Sequence, residues 1–307
     1  MAVAGAVVAA VLDVGSNSVL LLTVAVAPDG RARQRDAALR TTRLGGGLRR
    51  GGALDPAARA RTREAVVALC GRARDAGASR CWAFATGAAR DARDGAACAA
   101  ELAAVADCPV EVLAGEEEAR LAYAAVAHAL GAGDAPLLVA DVGGATTEVT
   151  LGRGERVEAA ASLPLGALAL TEAGVASAAR LDDVLAGAAP VARARATGAA
   201  LVASGGTATA LAALDLGLTV YDPARVHGHR LAVTRLAGLA RDAGRGVEVL
   251  DEGRARILPA GADVLAAVAR AAGVETLCVS DHGVRHAYLR RQLAREGIDA
   301  NLRALWS

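Results

Sequence analysis

The chain has 307 residues, enough for two domains of moderate size, and 54% of them are hydrophobic, enough to fill two cores. Its 34 basic residues are balanced by 33 acidic ones, so no global positive field points to nucleic acid as a partner. No Lys is present, so any phosphate clamp must be built from Arg, backbone N–H groups, hydroxyls or a metal.

The apolar stretch from Ala2 to Leu12 carries no basic residue ahead of it and ends at Asp13. It is too short to span a membrane, and no later apolar run reaches the ~18 residues a span needs. A soluble protein with no membrane partner is expected. Val7 to Leu12 is instead predicted as a strand, followed by the turn Asp13-Val14-Gly15-Ser16-Asn17-Ser18 and a second strand over Val19 to Ala27. Asp55-Pro56 opens a helix that runs to about Ala76, with Asp as N-cap and Pro at the first helical position. A strand over Cys81 to Ala85, a helix over Ala88 to Ala106, a strand over Val110 to Leu113 and a helix from Gly115 to near Gly131 complete the first half.

The pattern then restarts. Leu137 to Ala140 reads as a strand, followed by Asp141-Val142-Gly143-Gly144-Ala145-Thr146-Thr147-Glu148 and another strand over Val149 to Gly152. Two strand–Asp-Val-Gly–strand units in one chain predict two similar α/β domains. A helix over Arg180 to Arg195, a strand over Leu201 to Ala203, the turn Ser204-Gly205-Gly206-Thr207, a helix over Ala260 to Ala272, a strand over Thr276 to Ser280 and a mostly helical end from Gly283 follow. The five cysteines (Cys70, Cys81, Cys98, Cys108 and Cys278) form no C-x-x-C pair and are odd in number. That spacing predicts buried, reduced thiols in a cytoplasmic protein.

Three turns of this kind can aim backbone N–H groups at an anion, with Ser16, Asn17, Ser18, Thr146, Thr147 and Thr207 as further donors. Asp13, Asp141 and Glu148 would repel a bare phosphate, so they make sense beside such loops if a hard divalent cation, Mg²⁺, lies between. The run Gly115-Glu116-Glu117-Glu118-Ala119-Arg120 opens a helix with three carboxylates. The helix dipole alone favours one or two acids there, and one of the three could be a general base that activates water. Arg90, one turn into the helix that follows Ala85-Thr86-Gly87, could pair with phosphate. His227-Gly228-His229 is too short a motif to assign a metal.

Taken in order, these motifs resemble those of the exopolyphosphatase / guanosine pentaphosphate phosphohydrolase (Ppx/GppA) family. The matching segments are Asp13–Ser18, Ala85–Arg90, Leu113–Leu121, Asp141–Glu148, Ser162-Leu-Pro-Leu-Gly166, Ser204–Thr207, Tyr221-Asp-Pro and Val279–Arg285, and they span nearly the whole chain. The resemblance implies an α/β, actin-like fold of two ribonuclease H-like domains with a cleft between them. The expected boundaries are 1–125, 126–285 and a C-terminal helix over 286–307 that returns toward the first domain. It implies Mg²⁺ as cofactor and Glu117 as general base, with Glu118 one position away. Asp13, Asp141 and Glu148 match metal ligands. Gly15, Ser16, Asn17, Ser18, Arg90, Gly143, Gly144, Ala145, Thr146, Thr147, Gly205, Gly206 and Thr207 match phosphate-binding positions.

Three positions depart from the family pattern: Ala145 replaces a third Gly, Asp94 replaces a common Asn, and His286-Ala287 replaces Glu-Gly. The resemblance covers a two-domain core without the HD-type domain of longer members. The expected activity is Mg²⁺-dependent release of terminal phosphate from inorganic polyphosphate, in a cytoplasmic homodimer. The alternatives are guanosine pentaphosphate hydrolysis, an actin-like ATPase or sugar kinase, and a non-catalytic phosphate or alarmone sensor. The Glu-rich helix start argues against the kinase.

Overall fold

A computed structural model of the protein describes residues 5–48, 51–174, 178–243, 249–303 and 305–306. The chain divides into two units, Met1–Ala114 with Arg285–Ser307, and Gly115–Val284.

The first unit is built on strands β1 (Val7–Val14), β2 (Ser18–Val26) and β3 (Ala32–Thr41), an antiparallel meander. The middle of β1 is buried without interruption, as its run of Val, Ala and Leu requires of a central strand. β3 is an edge strand with alternating burial, and its polar sequence Arg-Gln-Arg-Asp hides it from a search for apolar runs. Helix α1 (Pro56–Asp75) starts where predicted: Asp55 accepts a hydrogen bond from the Ala58 amide at 2.7 Å. Strand β4 (Arg80–Ala85) joins β1 in parallel.

The single helix predicted over Ala88 to Ala106 is instead two, α2 (Gly87–Asp91) and α3 (Gly95–Ala106). The chain turns back on itself there, and a Cβ on Gly95 would stand 1.7 Å from the Ala89 carbonyl oxygen. Gly95→Ala is therefore expected to destabilise the unit by about 1–3 kcal/mol, the usual cost of overpacking, read as a lower urea midpoint. Asp94 braces this corner, accepting from the Leu54 amide at 2.9 Å and pairing with Arg59 at 2.8 Å. The Leu54 N–H holds its carboxyl below the ordinary value, so the brace persists at neutral pH and is lost as pH falls through that lowered value. Strand β5 (Val110–Val112) completes the sheet in the order β3-β2-β1-β4-β5.

The second unit opens with α4 (Gly115–Leu130), followed by β6 (Leu137–Val142), β7 (Thr147–Arg153) and β8 (Arg156–Leu163). After α5 (Ala167–Ala173), the helix predicted over Arg180 to Arg195 is again two, α6 (Ala178–Ala186) and α7 (Ala189–Thr197). Pro190 sits in the first turn of α7, where a residue without an N–H is best accommodated, and so marks a new helix start. Next come β9 (Ala200–Ser204), α8 (Gly205–Asp215), α9 (Pro223–Val226), β10 (Arg230–Ala232), α10 (Leu236–Ala243), α11 (Glu252–Ala272) and β11 (Thr276–Val279). α11 begins eight residues before the predicted Ala260 (260 − 252), because Asp251 caps it by accepting from the Arg254 amide at 3.0 Å. Pro259 lies inside this helix and is exposed. The sheet order is β10-β11-β9-β6-β7-β8.

The last helix, α12 (Val284–Arg295), groups with the first unit from Arg285 onward. There Tyr288 packs on Phe84 with ring centroids 4.6 Å apart and donates to Glu111 at 2.9 Å.

Each sheet thus has an antiparallel three-strand meander whose first strand pairs in parallel with the strand after the next helical segment. This is the ribonuclease H-like topology, present twice, and the fold is α/β of the actin-like class. Among the described residues, no helix is long and apolar enough to cross a membrane.

Candidate active site

The two Asp-Val-Gly turns close identically. The Gly15 amide donates to the Ser18 carbonyl at 3.0 Å, and the Gly143 amide donates to the Thr146 carbonyl at 2.9 Å. A Cβ on Gly15 or Gly143 would lie 3.1 or 3.0 Å from that same carbonyl oxygen, so the tight turn favours Gly.

In the first unit the Asp13 turn is locked from outside. The Thr42 and Arg43 amides donate to the Asn17 carbonyl, the Gly45 amide donates to the Ser16 carbonyl, and the Ala88 amide donates to the Ser16 hydroxyl at 2.9 Å. Ser16, Asn17 and Ser18 are consequently buried. Arg90 on α2 is held by the Leu113 carbonyl at 3.1 Å.

In the second unit the Asp141 turn rests on the N-terminus of α5. The Ala167 amide donates to the Gly143 carbonyl, and the Leu168 and Ala169 amides donate to that of Gly144. Gly166 makes this approach possible, since a Cβ there would fall 2.1 Å from the Ala145 carbonyl carbon. Thr147 does not reach outward as predicted: it is fully buried, and its hydroxyl donates to the Leu165 carbonyl at 2.5 Å. The Ser204–Thr207 turn serves Asp141 in the same way. Ser204 donates to Asp141 Oδ2 at 3.0 Å, and Gly205, at φ +80°, leaves space where a Cβ would lie 2.2 Å from Asp141 Oδ1. Thr207 is buried against the Val142 carbonyl.

One face of β7 organises the rest. Glu148, Thr150 and Gly152 alternate along the strand and so share a side. All three meet α4. Tyr123 lies against Gly152, where a Cβ would be 2.6 Å from its ring, and its hydroxyl donates to Gly154 at 3.0 Å. Burial pushes the Tyr123 hydroxyl up to about 12, so it stays a donor throughout the working range. Thr150 donates to the Ala119 carbonyl at 3.0 Å. These two anchors fix the register of α4, and the acid they place beside Glu148 is Glu118, which is buried. Glu117 is only partly buried, and Glu116 is exposed in an ion pair with Arg120 at 2.7 Å. Gly152→Ala should displace Tyr123 and shift Glu118. The expected result is a lower kcat with a smaller change in KM, measured by steady-state kinetics.

Burial, then the charge of Glu118, pushes the Glu148 carboxyl well above its ordinary value; Asp141 adds to this, and hydrogen bonds from Ser162 and Thr146 oppose it. The Ser162 hydroxyl donates to Glu148 Oε1 at 2.6 Å. Glu148 and Asp141 thus bring hard oxygen donors to one end of the β6–β7 pair, a donor type that fits Mg²⁺. Among the described residues, no group of three or more His, Cys, Asp or Glu side chains is arranged to hold a metal ion by itself. A Mg²⁺ ion at Asp141 and Glu148 would therefore need waters and substrate oxygens to complete its shell.

Arg254 was not singled out from the sequence. It sits over Gly206, where a Cβ would fall 1.8 Å from its Nη1, and its only sequence signal is the second Gly of Ser-Gly-Gly-Thr.

Residues 36–296 match the Ppx/GppA phosphatase family. The chain belongs to the Ppx/GppA phosphatase family. Exopolyphosphatase 2 of Mycobacterium tuberculosis is 33% identical over 304 residues, covering 90% of this chain and 95% of that protein. The crystal structure of the Aquifex aeolicus Ppx/GppA family member has a TM-score of 0.74 and 26% identity, over 95% of this chain and 99% of that one. An exopolyphosphatase-like protein has a TM-score of 0.82 at 26% identity, over 94% and 99%. Membership in this family makes the chain a phosphatase, a hydrolase whose substrates are phosphorylated compounds.

Proposed function

We propose that the protein is a Mg²⁺-dependent exopolyphosphatase and that Glu118, rather than Glu117, is its general base. The observation that carries the assignment is the placement of Glu118, buried beside Glu148 by the Thr150 and Tyr123 anchors. The same helix-opening acid run is part of the family resemblance, and the relative at 33% identity is named for this activity.

Asp141 and Glu148 would hold Mg²⁺, with Asp13 as the corresponding acid of the first unit. Held there, the ion would supply charge neutralisation at the phosphoryl oxygens. The protein does the rest. The Gly15 and Gly143 N–H groups close their own turns, so the other N–H groups of the Asp13 and Asp141 turns, with Arg90 in the first unit and Arg254 in the second, would bind and orient phosphate oxygens. With no Lys in the chain, a protein cation at the site has to be Arg. Glu118 accepts a proton from the attacking water as its oxygen approaches phosphorus. The proton rests on the Glu118 carboxylate until it leaves to solvent.

Support for polyphosphate over guanosine pentaphosphate comes from the named relative and from the low aromatic content, 2%, which offers few side chains to stack on a base. A cytoplasmic homodimer remains the expected setting. The test is orthophosphate release from polyphosphate, guanosine pentaphosphate and ATP under matched conditions. Higher kcat/KM on polyphosphate supports the reading. Higher kcat/KM on guanosine pentaphosphate reassigns the substrate within the family, and turnover of ATP alone refutes it.

A further inference from the structure

The first unit contains a group of thiols that the phosphatase chemistry does not use. Cys81 stands near the start of β4, Cys108 lies just before β5, and Cys70 lies on the buried side of α1. β4 and β5 are parallel with Ala83 opposite Val110, so two residues earlier Cys81 and Cys108 fall at matching positions along the two chains. Their Sγ atoms are 3.9 Å apart. Cys70 is also in hydrogen-bonding contact with Cys81. All five cysteines are free thiols, and both members of the close pair are partly exposed, whereas Cys70 and Cys98 are buried.

We propose that Cys81 and Cys108 form a reversible disulfide, making the β4–β5 junction a thiol-oxidation site that accepts low-molecular-weight disulfides. The geometry needs little change. A disulfide brings sulfurs to about 2.05 Å, and laterally matched positions on neighbouring strands fall within the Cα separation such bonds span. Cys108 is placed to adjust, because it follows Asp107, the left-handed residue (φ 54°) that ends α3. The surroundings of the two thiols set the order of events. A hydrogen bond with Cys81 draws the Cys108 thiol below its ordinary value, which favours its thiolate.

The Cys108 thiolate attacks one sulfur of the added disulfide, forming a mixed disulfide and releasing one small thiolate. Cys81 then gives up its proton to solvent and attacks the Cys108 sulfur, releasing the second small thiolate. Two electrons pass from the two protein thiols to the reagent, which ends as two thiols. Cys70, buried on α1, takes no part in the exchange.

The test uses the intact chain and oxidised glutathione as reagent. Folded protein is exposed to it, alkylated, unfolded and mapped by mass spectrometry. Of the five cysteines, two should be lost to alkylation, with peptides containing Cys81 and Cys108 joined, and dithiothreitol should restore all five. Cys108→Ser should abolish the joined peptide, and Cys98→Ser should leave it unchanged. The proposal is overturned if the folded wild-type protein keeps all five thiols or carries glutathione without a cross-link. It is equally overturned if the map joins any other pair, Cys70 with Cys81 included. The wild-type map decides the matter alone if the Ser variant does not fold.

Discussion

Glu118→Gln is expected to lower phosphate release by at least about a hundredfold while leaving the fold and substrate binding nearly intact. A positioned carboxylate that takes a proton from water contributes ~10²–10⁴-fold, and the amide cannot take that proton. Because Gln keeps the shape of Glu, the anchors at Thr150 and Gly152 should still hold α4 on β7. KM should therefore change little while kcat collapses. Glu117→Gln should retain most activity, and Glu116→Gln should be nearly silent, since that side chain is exposed and paired with Arg120. Steady-state kinetics of the three variants distinguishes the assignments. A collapse in Glu117→Gln with Glu118→Gln active would return the base to Glu117.

Asp141→Asn should behave differently. The structure invests heavily in this side chain: Ser204 donates to it, Gly205 makes room for it, and Gly283 approaches it to within 3.6 Å of a would-be Cβ. Losing even an outer-shell partner of a bound metal typically costs 10–100-fold in affinity or activity. Removing the carboxylate itself should raise the Mg²⁺ concentration for half-maximal activity by about a hundredfold or more. Glu118→Gln should leave that concentration unchanged, so the Mg²⁺ titration separates the two roles. Full activity of the wild-type protein in excess chelator would remove the metal from the scheme.

The contrast shows what the sequence can and cannot convey. Strands flanked by Asp-Val-Gly turns were legible because the signal is local: an apolar run, then a turn that needs Gly. The family resemblance followed from their order. Edge strand β3 was missed because exposed residues alternate along it and dilute the apolar pattern, and β8 because its Ala159-Ala160-Ala161 run carries a helical rather than a strand propensity. The start of α11 was missed because Pro259 reads as a boundary, although the cap at Asp251 and the buried Ile257 and Leu258 carry the helix through it. The general base is a subtler case. Three adjacent acids differ by about 100° around a helix, and which of them turns inward depends on how α4 seats on β7. That seating is set by Tyr123 on Gly152 and Thr150 on Ala119, contacts between positions about thirty residues apart. Arg254 was invisible for the same reason, since only the folded chain brings it over Gly206.

The most direct test follows a defined long-chain polyphosphate over time in the presence of Mg²⁺, with wild-type protein and Glu118→Gln run side by side. Orthophosphate should appear from the first time point with wild-type protein, the polymer should shorten from its end without mid-length fragments, and the variant should release at least about a hundredfold less. Equal release by the two proteins, or no release by either, would contradict the account.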